Sequence, residues 1–243
     1  MKIAIIGSQC VGKSTFIKDF IVEWPMYKLC EKPRYTDLVK EKNVKLNENG
    51  NEESQKLILD SLADQVMLTP KNSNVLFDRS VLDNLVYTMW MNAKSKVSDK
   101  FVESTIKIVK ESLVFYDILF FLPITKQSPV VFEPSVNRSE DTAYRIEVDY
   151  IFKALVHQYT KGNRTFFPFD HKDGMPAIIE IYGNREERIE LTKMYLNKTG
   201  NSYGEEDTLL TLTPEELETK QLLENLANPI QVQNKNIIAI TKK

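Results

Sequence analysis

Only two cysteines and two histidines occur in the 243 residues. Cys10, Cys30, His157 and His171 form no CxxC pair, no HExxH and no Cys/His cluster, so neither a disulfide framework nor a zinc centre is expected. No uncharged apolar run comes near the roughly 18–20 residues that span a bilayer, and Lys2 leads straight into a short apolar run rather than into a secretory leader. The expected setting is reducing and cytoplasmic. Charge of one sign is missing too: 32 Lys+Arg stand against 34 Asp+Glu, a net charge of -2. Interspersed charges in this balance lack the footprint of a dedicated nucleic-acid or membrane-surface protein. With 42% hydrophobic and 27% charged residues, neither disorder nor fibre is expected, and the length suits one large α/β domain with an appendage.

Ile3 to Ile6 is a continuous apolar run, the pattern of a strand buried on both faces of a parallel sheet. A glycine-bounded turn then leads into a predicted helix over Ser14 to Trp24, with Phe16, Ile17, Phe20 and Ile21 on its core face. Tyr27 to Cys30 reads as a short strand, Val39 to Asn51 as a mobile loop or weak helix, and Glu53 to Leu68 as a helix. Val75 to Phe77 is a buried strand that ends at Asp78. Helices follow over Leu82 to Trp90 and Asp99 to Ser112, then a strand over Asp117 to Leu122 and a helix at about Asp141 to Tyr159. The last clear strand is Ala177 to Tyr182, expected beside the first, with a charged helix after it through Leu196. Strands alternating with helices imply a mostly parallel sheet covered on both faces. The expected organisation is one domain over 1–196 and a less legible C-terminal extension, 197–243, packed on it.

Gly7-Ser8-Gln9-Cys10-Val11-Gly12-Lys13-Ser14 matches G-x-x-x-x-G-K-[ST] at every fixed position and lies between a strand and a helix, as that mechanism requires. Gly7 and Gly12 permit backbone conformations that turn successive N–H groups of Gln9, Cys10 and Val11 towards a phosphate. The following helix adds its positive end. Lys13 would bridge phosphate oxygens, and Ser14 would place its hydroxyl on Mg²⁺. Thr15 either touches nucleotide or caps the helix.

Asp78 ends a buried strand on the edge of the sheet where open α/β folds bind ligands, or else caps the next helix. Arg79 follows it, where a hydrolytic motor commonly carries a second carboxylate to orient water, and no Asn-Lys-x-Asp guanine-reading motif is present. An acid that accepts a hydroxyl proton, next to an arginine that neutralises phosphate, suits phosphoryl transfer to a bound acceptor. Arg138 and Arg145, about two helical turns apart, could close as a lid over 125–160, although a solvated charged face is an ordinary alternative. Glu31 and Arg34 follow the second strand and could line an acceptor pocket, and Gln55 could hydrogen-bond an acceptor ring or amide. Gly183, Asn184, Arg185 and Arg188 stand where an adenine platform could form, with an exposed helix surface the simpler reading for the two arginines.

In this order, GSQCVGKST, EKPR, EESQ, VLFDRS, DILFFLP, the segment 138–149 and IEIYGNREER resemble the P-loop kinases related to the ribosylnicotinamide kinase domain of NadR, often labelled AAA-like domain proteins. Similarity to deoxynucleoside and nucleoside monophosphate kinases is more distant. The resemblance spans Ile3 to Leu196. It implies a P-loop three-layer α/β sandwich with a mostly parallel five-stranded sheet and a helical lid, and an ATP- and Mg²⁺-dependent kinase. On these positions Lys13 and Ser14 would serve the triphosphate and Mg²⁺, Asp78 the acceptor hydroxyl or the metal, Arg79 the acceptor side, and Arg138 and Arg145 the lid. Deoxynucleoside kinases carry Glu-Arg-Ser where this chain has Asp78-Arg79-Ser80, so base and metal ligand both stay open for Asp78. The expected activity is γ-phosphoryl transfer from ATP to a nucleoside, nucleotide or nucleoside-like small molecule. A nucleotide-dependent switch with a protein partner, and a kinase acting on a nucleic-acid end, are the alternatives.

Overall fold

A computed structural model describes residues 1–31, 49–126, 128, 141–160 and 175–203. By its internal contacts the chain divides into two units, Met1–Gly200 and Asn201–Lys243, and the first holds every element below. Five strands, β1 (Lys2–Ile6), β2 (Lys28–Leu29), β3 (Val75–Asp78), β4 (Ile118–Phe121) and β5 (Ala177–Glu180), form one sheet in the order β2-β3-β1-β4-β5. Every ladder is parallel. Among the described residues six helices connect or follow the strands: α1 (Lys13–Glu23), α2 (Glu52–Met67), α3 (Val81–Ala93), α4 (Asp99–Leu113), α5 (Thr142–Thr160) and α6 (Arg185–Lys193). None among the described residues is long and apolar enough to cross a membrane.

Alternation along the strands builds the layers. Ile3, Ile5, Leu76, Ile118 and Phe120 point to one face, where Phe16, Ile17 and Phe20 of α1 and Ile189 of α6 cover them. Ala4, Ile6, Phe77, Leu119 and Phe121 point to the other, beneath apolar residues of α2 to α5. The result is the three-layer α/β sandwich that the apolar strand runs require. Phe16 meets Phe20 and Phe120 edge-on, with ring centroids 6.1 and 6.2 Å apart. Such pairs add about 0.5–1.5 kcal/mol beyond area burial and pin the start of α1 to the sheet.

Within the described residues the predicted strands and helices are present, with ends moved by a few residues; the second strand shrinks to Lys28–Leu29 and the last stops at Glu180. The placement of β5 differs from expectation. It pairs with β4 and not with β1, whose two neighbours are β3 and β4. The uninterrupted apolar run of β4 is buried at all four positions and so takes an inner place, whereas β5 is only partly covered and forms the edge. Of the lid expected over 125–160, α5 is core-packed through Tyr144, Val148, Phe152, Leu155 and Val156. Arg138 and Arg34 lie outside the described residues, as do most of 39–51 and all of 204–243.

Candidate functional site

The β1–α1 loop occupies the carboxyl edge of the sheet, where β3 and β4 also end. Gly7 has φ 139°, and a Cβ there would stand 2.6 Å from the Leu122 carbonyl oxygen, so no other residue fits. Cys10 and Gly12 also take positive φ, 59° and 86°, giving the alternation of backbone hand from which anion-binding nests are made. Gly12 is the N-cap of α1, and the first turn has no acidic residue and no side-chain cap. The first N–H groups and the dipole of the helix are therefore left for an external anion.

What holds this loop is its carbonyls. Lys13 Nζ donates to the carbonyls of Gly7 at 2.7 Å and Ser8 at 2.5 Å. Arg145, one turn into α5, donates through Nε to Gln9 O and through Nη2 to Cys10 O, both at 3.3 Å. Arg188 Nη1 donates to Val11 O at 2.8 Å, and the Phe16 N–H donates to Gly12 O at 2.9 Å. All six carbonyls from Gly7 to Gly12 are thus occupied, five of them by three cations. The peptide bonds are trans, and in a trans peptide the C=O and the next N–H point opposite ways. Each bond therefore turns one N–H, from Ser8 to Lys13, away from the donor that holds its carbonyl. The N–H groups of Ser8, Cys10, Val11 and Gly12 find no acceptor among the described residues.

Beneath the loop lies a cluster of charges. Asp83, 1% exposed, accepts from Gly7 N–H at 3.3 Å through Oδ1 and from Ser80 N–H at 2.8 Å through Oδ2. Its Oδ1 also stands 3.6 Å from Arg79 Nη1. Arg79 has φ 84°, a strained conformation for a non-glycine residue that its neighbours over-determine. Its N–H donates to Ile5 O at 3.1 Å, and its guanidinium lies 5.4 Å from the Tyr87 ring centroid. Burial pulls the Lys13 ammonium down to about 7, Arg79 adds to the fall, and Asp83 and Asp78 oppose it. Burial pushes the Asp83 carboxyl up, against the pull of Arg79 and Lys13.

Asp78 sits at the end of β3 opposite Ile5. The capping role open to it belongs instead to Ser80, whose Oγ accepts from Leu82 N–H at 3.1 Å. The Asp78 carboxylate makes no hydrogen bond or ion pair with a described residue, and its charge reaches Lys13. Ser14 and Thr15 expose their hydroxyls on the first turn of α1. An exposed hydroxyl and an unspent carboxylate on adjacent elements are the oxygen donors that suit Mg²⁺.

Of the residues expected to meet an acceptor, Gln55 is buried, and its carbonyl oxygen accepts from Asn84 Nδ2 at 2.9 Å. Its amide NH₂ is therefore the end with which it can read a ligand. Glu31 is exposed just past β2. Arg185 is engaged elsewhere, in a fork on Asp19 of α1 with Nε–Oδ2 at 2.9 Å. Arg188 is not the surface residue of the simpler reading; it is 5% exposed. Asp83 and Asn84 were not singled out in the sequence. The one available signal for Asp83 is Ser80-x-x-Asp83, a capping box whose acid also reaches the loop.

A family model described as an AAA domain matches residues 2–163. No curated protein matches by sequence. Among solved structures, the chain is similar to deoxyadenosine kinase from M. mycoides with dCMP and a flexible dCDP bound, at 16% identity and a TM-score of 0.55, over 80% of this chain and 97% of that one. It is similar to thymidylate kinase from Candida albicans at 15% identity and a TM-score of 0.53, over 79% and 89%. It also matches NadR in complex with NAD and AMP-PNP, at 13% identity and a TM-score of 0.53, over 82% of this chain but only 49% of that one. The fold is that of the P-loop kinases.

Proposed function

The chain belongs to the AAA-domain family whose model covers residues 2–163, and on that membership and the geometry of its loop we propose an ATP- and Mg²⁺-dependent phosphotransferase. It carries the γ-phosphoryl group to a nucleoside, nucleotide or nucleoside-like small molecule. The observation that carries this reading is the set of six held carbonyls, which presents the opposite N–H groups of the loop to an anion. The solved neighbours, nucleoside and nucleotide kinases by name, support it through the shared fold.

Lys13 and the loop N–H groups bind the β- and γ-phosphates, and α1 adds its dipole. Ser14 and Asp78 would hold Mg²⁺, which neutralises charge on the phosphates when bound. Asp78 has a second possible duty, to accept the acceptor's hydroxyl proton as the oxygen attacks phosphorus and the bond to the ADP oxygen breaks. Arg79, fixed by Asp83 and Tyr87, faces the charge of the transferred group, Arg145 approaches from α5, and Arg138, outside the described residues, is assigned to the lid by the sequence pattern alone. Glu31 and Gln55 line the acceptor side, to which the sequence pattern alone assigns Arg34, outside the described residues, while the turn at Gly183 borders the base and Arg185, forked on Asp19, ties that turn to α1. Arg79 in place of a water-orienting acid favours transfer to an acceptor over hydrolysis.

The test is acceptor-dependent ADP formation over nucleosides, nucleoside monophosphates and nicotinamide riboside, with products identified by mass. The expected result is one phosphorylated class, lost in Lys13→Ala. ATP bound tightly with no product from any small acceptor would overturn the reading in favour of a switch.

A further inference from the structure

The phosphate cradle has a support that lies outside both the loop motif and the lid. Arg188 on α6 is buried, yet no carboxylate of a described residue comes within ion-pair distance. Its Nε donates to Gly183 O at 3.0 Å and its Nη1 to Val11 O at 2.8 Å, while Nη2 is buried without a partner. A desolvated guanidinium facing two carbonyls and no anion is costly, and burial lowers its pKa below the usual arginine range. Packing does not call for such a residue, since an apolar side chain would fill the same space between α6 and the loop. The arrangement lacks a counter-charge, and the loop it touches is the one that turns its N–H groups outward.

The bond itself has a direction. Val11 C=O and Gly12 N–H belong to one trans peptide, so a carbonyl held from behind aims that N–H towards the opposite side. The same guanidinium fixes Gly183, a residue with φ 94° in the β5–α6 turn, so that the turn and the P-loop are held as one piece. We propose that Arg188 is a positioning residue of the phosphate cradle: it aims the Gly12 N–H, and the polyphosphate of a nucleoside triphosphate is its missing counter-ion. The inference rests on the phosphate-binding reading of the loop and not on the identity of the acceptor.

Equilibrium ATP binding, its dependence on salt, and Tm are measured for the full chain and for R188M and R188K. R188M should lose about tenfold or more in ATP affinity, with a shallower salt dependence because one fixed cation has gone. R188K keeps the charge but cannot fork to both carbonyls, so its affinity should fall between while its salt dependence stays that of the parent. A fold merely loosened by the change would lower Tm and leave the salt dependence unmoved. Parent-like affinity and salt dependence in folded R188M would overturn the inference; if R188M does not fold, parent-like affinity in R188K does so. A parent chain that binds no ATP overturns the reading of the loop and this inference together, whereas ATP binding without an acceptor touches neither result.

Discussion

Asp83 and Gly7 are joined across 76 positions of sequence by one hydrogen bond, from the Gly7 N–H to a carboxylate oxygen at 3.3 Å. The other oxygen of Asp83 accepts the Ser80 N–H, so a single buried side chain ties the first residue of the phosphate loop to the end of β3. Asp83→Asn keeps the shape but sets an NH₂ against one of two N–H groups. It should cost about 1–3 kcal/mol for the unsatisfied buried donor, and about 2–4 °C of Tm per kcal/mol. A Tm within about 1 °C of the parent, below the smallest effect of about 2 °C that this relation allows, would show that the bond contributes little.

Lys13 titrates at about 7 in the free protein, against 10.5 for an ordinary lysine. The unfolded chain therefore holds more protons between these values, and stability gains with rising pH across that window. Bound polyphosphate reverses the balance by favouring the charged form. At a pH of about 8.5, ATP binding should take up a proton, approaching one per site, and at about pH 6 almost none. Calorimetry in two buffers of different ionisation heat reads this directly. Binding heats independent of buffer at both pH values would mean that Lys13 stays charged throughout.

Arg145 reaches the loop through two bonds of 3.3 Å, long enough to be released at small cost when phosphate competes. In the transition-state role proposed for it, Arg145 should matter more for turnover than for affinity. Arg145→Ala, which also frees two loop carbonyls, is expected to lower kcat on the order of 10²-fold or more, a larger loss than the one in ATP affinity. Equal losses in kcat and in ATP affinity would place Arg145 in ground-state binding instead.

Gln55 is oriented by Asn84, which takes its carbonyl oxygen and leaves its NH₂ for the proposed acceptor contact. Gln55→Leu should raise the acceptor KM by about tenfold, one hydrogen bond's worth, at constant ATP affinity. Asn84→Ala, which lets the amide rotate, should relax selectivity among acceptors with a smaller rise. A Gln55→Leu enzyme with parental KM for every acceptor would remove this pair from the site.

The strands, the helices and the phosphate loop were legible because each follows from local pattern: apolar runs such as Ile3–Ile6 and the glycine-bounded string at 7–14 carry their own geometry. Sheet order is not a local property, and the edge position of β5 emerged only from the competition of two strands for the covered place beside β1. Asp83 looked like any first-turn acid, and its second bond to Gly7 depends on β1 and β3 being neighbours. Arg188 stands in a helix of sequence REERIELTK, where charge is the rule; nothing in that string distinguishes the one arginine that turns inward. Local chemistry was readable, and the long-range supports of that chemistry were not.

The three cations that hold the loop carbonyls come from α1, α5 and α6, and the last of them joins residues 177 apart. On a ribosome, the phosphate string emerges at the outset and waits through nearly the whole synthesis of this unit for its final clamp. The proposed nucleotide recognition would thus arrive late, as a property of the finished fold, and a chain interrupted before residue 188 would carry the motif intact without the last of its three clamps.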